Sequence, residues 1–170
     1  SNTTVSKLRV NKYLTKVNVT FVNVTYVGND VVFTVALNET INATVALRVG
    51  DETYNVAIVN GEGIFTVSNL ANATYDVNAT FYGDDKYASS STAVEKLYVN
   101  KYLTELEVTF DDVIFVGSDA VFTITLNQTI NTTVALRVGD ETYNVALING
   151  KGTFTVANLA NATYKVNATY

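Results

Sequence analysis

The stretch TVALRVGDETYNVA occurs twice in the chain, at residues 44–57 and again at 133–146. On both sides of the step Gly50-Asp51, apolar side chains alternate with polar ones. Period-two alternation is typical of a strand covered on one face, and a glycine beside an aspartate suits a tight turn. Each copy of the stretch therefore predicts a β-hairpin.

The duplication extends well beyond this stretch. Residues 7–81 align with residues 96–170 at a constant offset of 89 without gaps, and 54 of the 75 aligned pairs are identical. A period of this kind marks an architectural array. Duplication supplies length and valency, whereas an active site rarely needs a second copy, so the repeat favours a structural or adhesive protein.

Further alternating runs complete a sandwich pattern in the first copy. They cover residues 17–21, 31–37 and 75–81, and the step Asn60-Gly61 suits a second hairpin. Short strands at regular spacing indicate a β-sandwich. We predict an all-β chain of two tandem Ig-like Greek-key sandwiches, the second lacking its own final strand.

A local feature narrows the fold to the Ig type. Leu70 stands five residues before Tyr75 at the entry to a strand, and Leu159 and Tyr164 repeat the arrangement. The spacing predicts a tyrosine corner in each copy, in which the tyrosine hydroxyl bonds to the backbone. Two ordinary core residues are the alternative interpretation.

Composition excludes several classes of function. The net charge is −5 without any basic cluster, and the chain has no Cys, His, Met, Trp or Pro. Nucleic acid and anionic membranes are therefore poor partners, and no apolar run approaches the roughly 20 residues of a membrane span. Without a His base, a Cys nucleophile or a phosphate loop, we predict no enzyme, no catalytic residue and no cofactor.

Adjacent acidic residues are the one candidate for a metal. Asp84-Asp85 and Asp111-Asp112 lie in predicted loops, where oxygen-rich side chains can hold Ca²⁺. Two neighbouring carboxylates without EF-hand spacing are ordinary for solvated turns, so we predict no metal site.

Residues 63–94, GIFTVSNLANATYDVNATFYGDDKYASSSTAV, resemble the tandem Ig-like repeats of archaeal (methanogen) adhesin-like surface proteins. Tyr82, Gly83, Asp84, Asp85 and Tyr87 carry the Tyr-x-Gly-Asp-x-x-Tyr motif of that family, followed by a Ser/Thr-rich strand. The resemblance implies an extracellular, cell-surface location and long stalks or filaments that contact other cells or surfaces.

The ends of the repeat do not match. Residues 90–99 should form the last strand (G) of the first sandwich, and the offset makes residues 1–10 a second G-type strand. We predict a donor strand at 1–11, one sandwich at 12–99 and a second at 100–170. Strand G of the second sandwich is either supplied by another subunit or lies in sequence beyond this window of a longer array.

Strand donation is the interpretation that we favour. A strand equivalent to Val94, Leu97 and Val99 would bury three apolar side chains, which contributes on the order of 5–9 kcal/mol, and an open sheet edge accepts such strands. The relation is head-to-tail and generates a homopolymer rather than a closed ring. The predicted donor side chains are Val5, Leu8 and Val10, and the predicted acceptor strand carries Tyr164, Val166, Ala168 and Tyr170.

Eleven Asn-x-Thr sequons occur in the chain. Glycans on them would shield a surface protein, although Asn and Thr on the outward face of a strand also fall two residues apart. The sequons near predicted turns are the better acceptors. These begin at Asn38, Asn42, Asn72, Asn127, Asn131 and Asn161.

Overall fold

The computed structural model describes residues 3–170, which contain β-strands and no helix. The chain divides into two compact units, residues 1–102 (the first unit) and residues 103–170 (the second unit). The first unit ends three residues later than the predicted boundary at 99, because its last strand continues to Asn100 and Tyr102 stacks on Tyr26 of the same unit.

The first unit is a complete two-sheet sandwich. One sheet has the order β1-β3-β6, and the other has the order β2-β9-β7-β4-β5 with β8 beside β7. All pairings are antiparallel except that of β2 with β9, which is parallel. The strands are β1 (Val17–Thr20), β2 (Val24–Tyr26), β3 (Val31–Leu37), β4 (Ala43–Val49), β5 (Glu52–Ile58), β6 (Glu62–Val67), β7 (Ala73–Phe81), β8 (Ser90–Ser91) and β9 (Glu95–Asn100).

The second unit repeats this sandwich with fewer strands. Its sheets have the orders β10-β11-β14 and β13-β12-β15. Within residues 103–170 no strand corresponds to β2, β8 or β9. The strands are β10 (Leu106–Thr109), β11 (Ala120–Leu126), β12 (Thr132–Val138), β13 (Glu141–Leu147), β14 (Lys151–Val156) and β15 (Val166–Thr169).

The alternating side chains form the core of each unit, as the sequence predicts. Phe33 and Leu47 are fully buried in the first unit, and Leu136 and Leu147 are fully buried in the second. Apolar side chains from both sheets interdigitate between the layers, which is the usual core of a β-sandwich. The fold is therefore the predicted tandem of Ig-like sandwiches, with the final strand missing from the second.

The turn at Asn60-Gly61 connects β5 to β6 and passes the chain from one sheet to the other. Both residues have positive φ, 52° and 88°, as a type I′ turn requires. A Cβ at Gly61 would lie 2.8 Å from the backbone oxygen of Glu39. The turn depends on glycine at this position for that reason, and Asn149-Gly150 repeats it with φ of 51° and 77°.

Candidate functional site

Strand β9 closes the first unit between two neighbours. Leu97 pairs with Tyr75 of β7, while Tyr98 pairs with Val24 of β2. The side chains of Leu97 and Val99 point into the core and are 0% and 1% exposed. This one strand therefore supplies two core side chains and joins β2 to β7 in the five-stranded path.

The prediction that Val94 is buried with them is wrong. Val94 is 56% exposed and precedes the first residue of β9, Glu95. The spacing of three residues between Val94 and Leu97 breaks the two-residue alternation of a strand, so the two side chains do not share the inward face. Val5 is the counterpart of Val94, and Leu8 and Val10 are the counterparts of Leu97 and Val99.

The second unit has a groove at the position that β9 fills in the first. Its volume is about 360 Å³, and all of its lining residues belong to the second unit. Val113 and Phe115 on one wall are the counterparts of β2, and Tyr164 and Val166 on the other are the counterparts of β7. The groove is therefore the unfilled site of a final strand.

Both walls of the groove are more exposed than their counterparts. Phe115 is 79% exposed, whereas its counterpart Tyr26 is 39% exposed. Residues 113–115 form no strand, because the strand with which β2 pairs is missing from the second unit. Val166 is only half-buried, whereas its counterpart Val77 is fully buried.

Of the four predicted acceptor residues, Tyr164 and Val166 line this groove, whereas Ala168 and Tyr170 are not among its lining residues. Ala168 pairs with Leu136 of β12, and Val166 pairs with Val138. Tyr164 lies before β15 and Tyr170 lies after it, so neither belongs to the four-residue strand. The counterpart of β15 is β7, which is nine residues long and pairs with β9 on its other side. Strand β15 has no such partner and is only four residues long.

The predicted donor residues are fully accessible. Residues 3–11 form no strand and make no hydrogen bond to another described residue. Leu8 is 91% exposed and Val10 is 88% exposed. From residue 7 to residue 13 the segment reads KLRVNKY, against KLYVNKY at 96–102, so it carries the apolar pattern of β9. Residues 1 and 2 of the predicted donor strand lie outside the described residues.

The chain after the donor segment is fastened to the first unit. The backbone nitrogen of Tyr13 donates to the oxygen of Lys86, and the nitrogen of Ala88 donates to the oxygen of Tyr13, at 2.9 and 2.8 Å. The Lys86 ammonium lies 5.2–5.4 Å from the ring centres of Tyr13 and Tyr87, and hydrogen bonding to the Tyr87 side chain raises the pKa of Lys86. The segment of residues 3–11 is thus followed by a residue, Tyr13, that is bonded to the rest of the first unit.

The two predicted tyrosine corners have matching geometry. The hydroxyl of Tyr75 donates to the oxygen of Ala71 at 3.0 Å, and that of Tyr164 donates to the oxygen of Ala160 at 3.1 Å. Leu70 and Leu159 pack against the cores of their units. The second unit therefore retains the local structure that leads into β15.

The six candidate sequon asparagines differ in their hydrogen bonds. Four of them accept a bond from a backbone nitrogen through the side-chain oxygen, at 2.7–2.9 Å: Asn38, Asn42, Asn127 and Asn131. Asn72 instead uses its side-chain nitrogen, which donates to the oxygen of Val99 in β9 at 2.8 Å. Asn161 makes no hydrogen bond to a described residue.

The acidic pairs act locally in the structure. The carboxylate of Asp84 accepts bonds from the backbone nitrogens of Lys86 and Tyr87 at 2.8 and 2.7 Å, which stabilises its own turn. Asp111 and Asp112 line the groove. Within residues 3–170 no three metal-binding side chains come together, and no helix there is long and apolar enough to cross a membrane.

No family model and no curated protein matches this chain. Among solved structures, it is similar to fibronectin(III)-like modules of Clostridium thermocellum CbhA, with 13% identity, 89% of this chain and 84% of that chain covered, and a TM-score of 0.42. A chimeric titin Z1Z2-Z1Z2 tandem functionalized with a GRGDS peptide from fibronectin shows 15% identity, 90% and 92% coverage, and a TM-score of 0.34.

The fold itself defines the class to which the chain belongs. It is an all-β protein of tandem Ig-like sandwiches. Its particular feature is the mismatch between a groove without a strand in the second unit and an exposed segment, residues 3–11, that repeats the apolar pattern of β9.

Proposed function

We propose that the chain is a structural subunit of an extracellular, pilus-like filament that assembles head-to-tail by strand donation and acts in adhesion. The observation that carries this proposal is the groove of the second unit, which lies where β9 lies in the first. The occupant is residues 3–11 of another copy of the chain, because this segment repeats the apolar pattern of β9 and is exposed.

The first unit provides the register of the donated strand. Applying the offset of 89 to the pairs Tyr75–Leu97 and Ala73–Val99 places Leu8 opposite Tyr164 and Val10 opposite Ala162. On the other side, the parallel pairing of β2 with β9 places Val113 beside Arg9. The incoming strand would then have partners on both edges, which is β-augmentation within a sandwich.

Burial of Leu8 and Val10 supplies the main driving force. Moving two such side chains from full exposure to full burial contributes about 3–6 kcal/mol. The walls of the groove gain as well, since Phe115 and Val113 are exposed in the uncomplemented unit. These contributions are large relative to the about 5–15 kcal/mol that stabilises a domain.

The proposed role in adhesion and the proposed cell-surface location are supported by features of the sequence. The resemblance of residues 63–94 to archaeal adhesin-like repeats implies a surface stalk or filament, and the eleven sequons fit a glycoprotein. Partners would be other copies of the chain, together with other cells or surfaces. We infer a role in structure and binding rather than catalysis, because the repeat supplies length and valency.

Deletion of residues 1–11 tests the proposal. The shortened chain should form no filaments by negative-stain microscopy and should sediment as a monomer, while the first unit keeps its thermal unfolding midpoint. A point variant makes the test sharper: Leu8→Asp should stop assembly, because the carboxylate would enter the groove. Val5→Asp is the matched control and should assemble, since the counterpart Val94 lies outside the core.

The alternative function is a stalk or binding segment of a large tandem-repeat adhesin. The near-identity of the two copies favours it, because long arrays are built from such repeats. In that case the groove is filled by sequence that follows residue 170. A chain of residues 1–170 that stays monomeric at high concentration, or filaments that survive the deletion, would overturn strand donation in favour of this alternative.

A further inference from the structure

Asn72 holds the last strand of the first unit by its side chain. Its amide nitrogen donates a partly buried hydrogen bond of 2.8 Å to the backbone oxygen of Val99. Asn72 stands directly before β7, whose first residue, Ala73, pairs with Val99. The side chain therefore extends the β7–β9 ladder by one bond beyond the end of the strand.

Asn161 is the counterpart of Asn72 at the groove of the second unit. It lines the groove, and it has no hydrogen-bond partner among the described residues. Its neighbours in sequence are unchanged, since ANATY occurs at 71–75 and at 160–164. The residue that the offset places opposite this side chain is Val10, the counterpart of Val99.

We propose that Asn161 is a clamp for the donated strand, through a hydrogen bond from its amide nitrogen to the backbone oxygen of Val10 of the next subunit. This inference rests on the proposed function and adds a specificity-determining residue to it. A carbonyl oxygen can only accept, so the clamp needs the amide –NH₂ group, and an Asp of the same shape cannot supply it.

The same amide nitrogen is the atom to which a glycan would be attached in the sequon Asn161-Ala162-Thr163. A glycan there replaces one of the two hydrogens and places a sugar ring at the atom that contacts the strand. A subunit glycosylated at Asn161 can donate its own strand but cannot accept one, so it ends a filament. By contrast, Asn131 holds its loop through the side-chain oxygen, so its amide nitrogen is not needed for that bond.

The first test compares critical concentrations for assembly by sedimentation. Asn161→Asp should raise the critical concentration about tenfold, because a buried carbonyl loses its donor and faces a carboxylate. Asn167→Asp adds the same charge at an exposed position of β15 that does not line the groove, and it should stay within about twofold of the unmodified chain. Thr163→Ala removes the sequon but keeps the amide and should also assemble normally.

Equal critical concentrations for Asn161→Asp and the unmodified chain would overturn the clamp. Glycopeptide mass spectrometry on filaments from the native source supplies the second readout. The peptide that contains Asn161 should carry no glycan in assembled subunits. A glycan on Asn161 in subunits inside the filament would overturn the inference that glycosylation there prevents a subunit from accepting a strand.

A chain with the strand supplied in cis separates this inference from the filament proposal. Repeating residues 82–100 after Tyr170 gives the second unit its own final strand, so no assembly is needed. In this grafted chain Asn161→Asp should lower the unfolding midpoint of the second unit, whereas in the original monomer it should not. If the original chain never forms filaments but Asn161→Asp destabilises the second unit only in the grafted chain, strand donation between subunits is wrong and the bond from Asn161 to a final strand is correct. If Asn161→Asp has no effect on the unfolding midpoint of the grafted chain, the proposed bond from Asn161 is wrong.

Discussion

The two units show what a single strand contributes to an Ig-like sandwich. They share 54 of 75 aligned residues, and the centres of their cores are equally buried, as Leu47 and Leu136 show. They differ where β9 is present or missing: Val77 is fully buried, whereas Val166 is only half-buried. The difference in burial therefore comes from the presence or absence of the last strand rather than from the local sequence.

The largest expected effect is obtained by removing that difference. Repeating residues 82–100 after Tyr170 should stabilise the second unit against unfolding by about 3–6 kcal/mol, from burial of the added copies of Leu97 and Val99. The grafted strand should also occupy the groove and stop filament growth. Scanning calorimetry measures the first result and sedimentation the second.

A matched graft controls for added length. It carries Asp in place of the Leu and the Val that copy Leu97 and Val99, and it should give neither stabilisation nor inhibition of assembly. If both grafts behave alike, the apolar strand is not what distinguishes the two units.

The same substitution at two equivalent positions should have different consequences. Leu97→Ala should destabilise the first unit by about 2–5 kcal/mol, because it leaves a cavity in the core. Leu8→Ala should leave the stability of the monomer unchanged, because this side chain is exposed there, and should instead raise the critical concentration for assembly. Denaturant unfolding of the monomer and sedimentation of the filament separate the two outcomes. A large loss of monomer stability with Leu8→Ala would contradict the description of residues 3–11 as free of the first unit.

The tyrosine corners provide a comparison in which the units should agree. Tyr75→Phe and Tyr164→Phe each remove one hydroxyl-to-backbone hydrogen bond, of 3.0 and 3.1 Å. Each should destabilise its own unit by about 0.5–1.5 kcal/mol. Unequal losses, measured as shifts in the two thermal transitions, would show that the missing strand also weakens the corner of the second unit.

The smallest expected effect concerns one exchanged charge. Lys96 forms an ion pair with Asp76 across β9 and β7, but the offset places Lys7 opposite Lys165. Like charges opposite each other on exposed strand positions cost about 0.2–1 kcal/mol. Lys165→Asp should therefore lower the critical concentration for assembly slightly, and the improvement should shrink as salt is added. An unchanged critical concentration at low salt would argue against this register.

Much of the fold could be predicted because alternation reports burial directly. The hairpin at 44–57 has the predicted strands. The second predicted hairpin, at Asn60-Gly61, is wrong, because the turn there joins strands of two different sheets that meet only at the bridge between Val59 and Glu62. Strand β2 escaped prediction, because its three residues are too short for a periodic pattern. Its parallel pairing with β9 is a long-range contact that no local signal encodes.

The candidate site was predicted in outline only. The offset of 89 located the groove, because nearly identical sequences adopt the same strands. The offset alone did not reveal that Val94 faces outward or that Asn72 bonds to β9 through its nitrogen, since both depend on side-chain directions at the ends of strands. The three-residue step from Val94 to Leu97 was the available signal for the first of these.

Strand β9 lies between a parallel neighbour, β2, and an antiparallel neighbour, β7. A pulling force along β9 acts across the hydrogen bonds of both ladders at the same time, so they are loaded in shear and do not open one by one. A strand donated in the same register would experience the same loading geometry. Each subunit junction would then resist tension through two ladders, in the same way as the intact sandwich.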